Sequence, residues 1–379
     1  MTTFSRRRML RAGAAAVGAA TLGPSAAACA TFPSGAPPVP EETRTLDQLH
    51  AEAMAEGGRL VVYAAGDSST ELQRTEEAFR ARFPGMRPTV VADYSKNHGV
   101  RVDSQVATGT LVPDVVQLHT PHDFPRWKEE GLLLPYKPAG FSALPDAFRD
   151  PDGAWVATAV VALSYLHGGG GGGPAPTTPA DLVDPRWQGR IASAYPQDDD
   201  AVLFLYREYV ITYGWEWAAR LAAQDVQFAR GTRAPAAAVG AGQKTIGIGV
   251  PGTPGAAPSS AARWLVPAEG PFVAWGQRAA ILAGAPHPAA AKLYLNWQLS
   301  VDVQQDAPSG WSVRTDVIPT SGLEPIWEYP NSHLDHYVEF MADRAEVERW
   351  RQTFVLHFGE VEGPPTTGQL GLYPGRAAA

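Results

Sequence analysis

The sequence has 379 residues, 45% hydrophobic and 18% charged, which is enough chain for two domains with cores of their own. Its 39 acidic residues against 31 basic ones give a formal charge of −8, and such a balance excludes the broad basic face that a nucleic-acid partner requires. One cysteine in the whole chain rules out an internal disulfide framework.

The first segment has the order of an export signal. Arg6, Arg7, Arg8 and Arg11 precede a weakly apolar Ala/Gly run from Ala12 to Leu22, too short to span a bilayer, and a small-residue site follows at Ala26-Ala27-Ala28. Ser5-Arg6-Arg7-Arg8-Met9-Leu10 resembles the twin-arginine motif, so residues 1–28 are expected to be a signal peptide. The four arginines leave with it and no acid does, which moves the formal charge from −8 to −12. Cys29 then stands where a mature lipoprotein carries its lipid, and Pro33, Pro37, Pro38 and Pro40 make residues 29–44 an extended tether. Ala26-Ala27-Ala28-Cys29 is either a signal-peptidase site or a degenerate lipobox, so the expected location is the periplasm or, with Cys29 lipidated, the outer face of the cytoplasmic membrane.

The body begins with a predicted helix from Leu46 to Ala55 behind Thr45 as its cap. The unbroken apolar run Leu60 to Ala65 reads as a strand buried on both faces. A helix from Glu71 to Phe83, a strand from Pro88 to Tyr94, a helix from Val100 to Thr108, a strand from Pro113 to Leu118 and a helix from Phe124 to Glu130 follow. This alternation predicts a parallel sheet with helices on its faces, and in such sheets ligands sit beyond the strand C-termini. The loops beginning at Gly66, Ser95 and His119 occupy those places.

A second cycle starts with a long strand over Ala154 to Tyr165, then Gly168 to Gly173 as an exposed loop. The strand Arg190 to Tyr195 leads through Asp198-Asp199-Asp200 into a helix from Ala201 to Tyr213, and a further helix covers Trp215 to Ala223. A short helix around Pro235 to Val239, a strand Lys244 to Val250, the runs 264–267 and 271–282, and a helix Pro288 to Leu299 complete it. Val338 to Phe358 reads as one C-terminal helix packing on the first lobe, with the chain from Gly363 onward frayed.

Several phrases carry a family resemblance: Gly58-Arg59-Leu60-Val61-Val62-Tyr63, Pro113-Asp114-Val115-Val116, Lys128-Glu129-Glu130-Gly131-Leu132-Leu133-Leu134-Pro135-Tyr136, Pro179-Ala180-Asp181-Leu182-Val183-Asp184-Pro185-Arg186-Trp187-Gln188-Gly189-Arg190-Ile191 and Gly284-Ala285-Pro286-His287-Pro288-Ala289-Ala290-Ala291-Lys292-Leu293-Tyr294-Leu295. Over residues 45 to 320 their order resembles the type 2 periplasmic substrate-binding proteins of ABC importers, in the ferric iron branch. The resemblance implies an α/β fold of two lobes, each a mainly parallel sheet flanked by helices. The lobes would be joined by crossovers near residues 156–164 and 264–273 and would close on a ligand by a hinge. It divides the chain into residues 45–158 and 269–379 for lobe 1 and 159–268 for lobe 2. One departure concerns the ligand: adjacent tyrosines, common in ferric-binding members, are absent from the loop Val250 to Ala257.

Asp198, Asp199 and Asp200 open a helix at a strand end; a cap accounts for one carboxylate, while three together favour a cationic ligand. His119, His122 and Asp123, with His98 nearby, offer groups that suit a divalent metal, or else groups that cap and hydrogen-bond. Arg230 could clamp an anion or lie solvated. Tyr63, Tyr94, Tyr195 and Trp275 could stack on an organic cation or belong to the core. The expected cleft set is Asp67, Ser68, Asn97, His119, Asp123, Asp198, Asp199, Asp200 and Arg230.

No Gly-x-Ser-x-Gly, His-Glu-x-x-His or Gly-x-x-x-x-Gly-Lys-Ser/Thr motif is present, which favours binding without catalysis. The reading is a monomeric extracytoplasmic receptor for a small molecule or metal ion that works with an ABC permease and ATPase, without a cofactor. An exported hydrolase or metalloenzyme and a sensor without a transport role are the alternatives.

Overall fold

In the computed structural model, residues 38–169, 173–254, 262–364 and 370–374 are described. The expected signal and Cys29 lie outside them.

The chain alternates as its apolar runs predict. Helix α1 (Leu46–Ala55) starts at a capping box in which Thr45 and Gln48 satisfy each other's backbone N–H groups. Then come β1 (Arg59–Ala65), α2 (Gln73–Arg82), β2 (Arg87–Asp93), α3 (Ser95–Ala107), β3 (Val115–Leu118) and α4 (Asp123–Glu129). The long strand β4 (Val156–Gly168) leads to β5 (Ile191–Ala194), α5 (Asp200–Tyr213), α6 (Trp215–Ala222), β6 (Gln227–Ala229), α7 (Arg233–Gly240), β7 (Ile246–Pro251) and β8 (Ala262–Leu265). Strand β9 (Val273–Ile281), α8 (Pro288–Gln298), α9 (Val301–Gln305), α10 (His336–Ala342) and α11 (Arg344–Phe358) complete the order.

The strands form one sheet in the order β2-β1-β3-β9-β4-β7-β5-β6, with β8 beside β4. Strand β1 pairs parallel with β2 and β3, and β5 pairs parallel with β6 and β7. Between these two parallel sets, β4 and β9 pair antiparallel, with a register shift between Ala157 and Ala159. Each set is one lobe of an α/β two-lobed fold, and the long strands β4 and β9 run between them.

Period-two alternation places the first core on both faces of its sheet. Leu60, Val62 and Ala64 meet α1, α2 and α8, whereas Val61 and Tyr63 meet Val102, Phe124 and Trp127. In the second lobe Tyr206, Tyr209 and Trp217 pack with Trp187 and Ile248 in a separate core.

Four features differ from the sequence reading. Residues 41–44 are docked rather than free: the Glu41 carboxylate accepts from the Gly140 and Ser142 N–H groups at 2.7 and 3.0 Å, and Tyr136 donates to Glu42 at 2.8 Å. Helix α3 begins at Ser95, so the polar stretch Ser95-Lys96-Asn97-His98 is its first turn and not a loop. The C-terminal helical stretch is broken at Asp343, whose side chain caps α11. It packs on α5 and α6 of the second lobe, not on the first, because Phe354 packs edge-on against the Tyr206 ring and tilted against the Trp215 ring. Beyond it the chain returns to the first lobe, where the Gly371 and Leu372 carbonyls accept from Arg101 and Gln105 at 2.6 Å.

Candidate functional site

The loops after β1, β2 and β3 face those after β5, β6 and β7, and a cavity of about 420 Å³ lies between them. This is where parallel strands leave their C-terminal ends. The first lobe contributes Asp67, Lys96, His119 and Thr120, and the second contributes Asp198, Asp199, Asp200 and Thr232. Strands β4 and β9 supply a wall that includes Thr158, Val160, Val161, Trp275 and Gln277.

Contacts between the lobes close the rim. Asp67 Oδ2 accepts from the Thr232 N–H at 2.5 Å and from the Thr232 hydroxyl at 2.8 Å, so a carboxylate of one lobe covers the N-terminus of α7 in the other. Lys96 Nζ donates to the Asp198 carbonyl and carboxylate at 2.9 and 3.1 Å.

The three consecutive aspartates have different partners. Arg230 binds Asp198 through two donors at 2.9 and 3.0 Å. Burial opposes ionisation of Asp198, yet Arg230 and Lys96 outweigh it and hold the carboxyl below its usual range. Asp200 is held by Arg351 of α11 at 2.6 Å. Asp199 is the N-cap of α5: its Oδ1 accepts from Ala201 and Val202 at 2.9 and 3.0 Å. Its Oδ2 makes no hydrogen bond among the described residues. Burial, with the Asp67 and Asp200 charges added, pushes the Asp199 carboxyl up to about 7.

A chain of hydrogen bonds fixes the polar floor. Gln298 donates to the Tyr294 hydroxyl at 2.6 Å, Tyr294 to Gln117 at 2.8 Å, Gln117 to Gln277 at 2.7 Å and Gln277 to His119 Nε2 at 2.9 Å. That direction assigns the His119 proton to Nδ1. Burial keeps this imidazole neutral, with its pKa down to about 4. Beside the floor, the Trp275 Nε1 and the hydroxyls of Thr120 and Thr158 are buried without a hydrogen-bond partner among the described residues.

Of the residues expected from sequence, Asp67, His119, Asp198, Asp199 and Asp200 line the cavity. Ser68, Asn97, Asp123 and Arg230 are not among its lining residues. Ser68 pairs with Thr70 at 3.1 Å, and Asn97 donates to Asp93 at 3.1 Å. Asp123 lies against Arg126 of its own helix, and Arg230 reaches the site only through Asp198. The histidines do not converge: His98 stacks on Tyr63 in the core, kept neutral by burial at about 4, and among the described residues no three His, Cys, Asp or Glu side chains form a metal-sized cluster. Tyr63 is therefore core, as is Tyr195 on Phe228, while Tyr94 and Trp275 line the cavity.

Sequence reasoning placed Lys96 and Thr120 in its candidate loops without singling them out, and missed Thr158, Gln277 and Tyr337 as lining residues. Gln277 was the traceable one, a lone amide within the apolar run 271–282.

Residues 111–319 match the model of the bacterial extracellular solute-binding protein family. The chain belongs to the bacterial extracellular solute-binding proteins, the binding components of ABC importers, and carries the type 2 periplasmic binding-protein fold. Its relatives are binding proteins rather than enzymes, and the family places it outside the cytoplasm. The fold is similar to that of the periplasmic binding protein AfuA from Actinobacillus pleuropneumoniae, solved with fructose-6-phosphate (TM-score 0.63, 18% identity, covering 80% of this chain and 99% of that one). It is also similar to iron-bound HitA from Pseudomonas aeruginosa (0.60, 16%, 78% and 99%) and to an ABC-transporter substrate-binding protein from Agrobacterium tumefaciens (0.65, 16%, 79% and 94%). Among curated proteins no match is found.

Proposed function

We propose that this protein captures a small cationic solute, a metal ion or an organic cation, in the cleft between the lobe of β1, β2 and β3 and the lobe of β5, β6 and β7. Hinge closure retains the solute until an ABC permease and its ATPase accept it. The observation that carries this reading is the interlobe cavity, in which Asp67 and Asp199 face each other's field with no basic side chain bonded to either among the described residues. A cation entering there relieves that repulsion. In this account the solute leaves as it entered, with His119 Nε2 taken up as a hydrogen-bond acceptor in the floor chain. The basic segment at residues 5–11 directs export in this account, and Cys29 bears the lipid that holds the receptor at the membrane. A monomer suffices, since both walls of the cavity come from one chain.

The test is to expose the protein to a metabolite and metal extract, wash it, denature it and analyse what is released by mass spectrometry. The expected result is one cationic species at about one per protein, chemically unchanged. A chemically altered product would contradict the receptor reading.

A further inference from the structure

The chain beyond α11 is held by both lobes. On the second lobe Gln197 Nε2 donates to the Gly359 carbonyl at 2.6 Å, and Arg230 Nη1 donates to the Gly363 carbonyl at 3.4 Å. On the first lobe Arg101 and Gln105 of α3 are only 5% and 0% exposed, and each gives a side-chain donor to a main-chain carbonyl of the tail, Gly371 and Leu372 respectively, at 2.6 Å. The Thr110 hydroxyl donates to the Tyr373 hydroxyl at 3.4 Å beside them.

Both attachments lie next to the rim contact that Lys96 makes with Asp198. Arg230 clamps Asp198, and Gln197 precedes it in the chain. Arg101 pairs with Asp93, whose Oδ1 accepts from Asn97, the residue after Lys96. The two ends are fastened with unequal strength. The second-lobe end continues α11, which Phe354 anchors with a fully buried ring. Gly371 and Leu372 are exposed and hold on through carbonyls, so undocking them exchanges hydrogen bonds with water and uncovers little apolar surface. The first-lobe end is therefore the one built to release.

We propose that the C-terminal extension is a strap across the cleft rim: docked on Arg101 and Gln105 it keeps the lobes together, and it lets go of α3 when they part for solute exchange. The strap goes beyond the receptor reading and names no solute, so it stands or falls separately.

The experiment is a pulsed spin-label distance measurement on the solute-free full chain carrying Cys29→Ser. Labels are placed at Val100→Cys in α3 and Ile211→Cys in α5, exposed positions in different lobes. Ending the chain at Pro364 keeps α11 and its contacts and removes the first-lobe attachment, and it should add a longer-distance population to the wild-type distribution. Gly371 has φ +69°, and a Cβ there would meet nothing within 4 Å, so Gly371→Val strains the docked tail without a clash on α3. That strain should shift the equilibrium about fivefold to thirtyfold toward release. Should the shortened chain lose helix content by circular dichroism, Gly371→Val decides alone. Distributions that superimpose on wild type, or that move to shorter distance, overturn the strap and leave the receptor reading in place.

Discussion

Asp199 divides its two oxygens between folding and the cleft. Oδ1 accepts the first N–H groups of α5, and Oδ2 is left to the cavity. A carboxyl raised to about 7 holds its proton more tightly in the folded chain than in the unfolded one, so its contribution to stability grows as pH falls through 7 and its full cost is present above that. The groups facing it are Asp67, Asp200, Lys96 and Tyr337. His98 and His119, both lowered to about 4, act in the opposite direction and are fully stabilising above their ordinary range. The difference between Asp199→Asn and wild type isolates the aspartate. Without ligand, the melting temperature of the variant should gain on wild type as pH rises from about 4 to 7 and keep a constant lead above 7. A difference that does not vary with pH would place the Asp199 carboxyl in its ordinary range. At this scale the sequence showed the acidic triplet but not its division of labour, because Arg230 and Arg351 come from elements 30 or more residues away. Trp275, Thr158 and Gln277 sat within strand-like runs, where alternation alone does not say which side chains meet a cavity.

The elements themselves were largely legible, since helix α1, its cap and the buried strand β1 follow from apolar spacing and turn chemistry. The errors came where local pattern and tertiary contact compete. Helix α3 starts at Ser95 although its first turn is polar, because the Ser95 hydroxyl accepts from the His119 N–H at 2.9 Å and ties that turn to the next loop. The C-terminal stretch was misplaced because nothing in its own sequence names the ring cluster it joins. Phe354 lies fully buried there with Tyr206, Trp215 and Phe358. Replacing it by Ala should cost about 3–5 kcal/mol, as a lost transfer term plus a cavity. Urea unfolding followed by tryptophan fluorescence would measure this, and a cost below about 1 kcal/mol would show that α11 does not anchor the second lobe. Because Arg351 of the same helix holds Asp200, the variant should also weaken solute binding.

For the molecule as a whole, the two parallel sets of strands meet at β4 and β9, and the rim contacts made across the cleft by Asp67 and Lys96 are polar and exchangeable. Asp67 on Thr232 and Lys96 on Asp198 are half-buried or exposed contacts, strong enough to favour closure and weak enough to release it. The fold class was readable from the order of strands and helices; the rim contacts were not, since each joins residues more than 100 positions apart. Small-angle scattering tests the central claim most directly. With the species recovered from the extract as titrant, wild type should contract to a smaller radius of gyration on saturation, and Asp67→Ala should remain larger at the same occupancy. A radius unchanged in wild type at full saturation would contradict a receptor that closes on its solute.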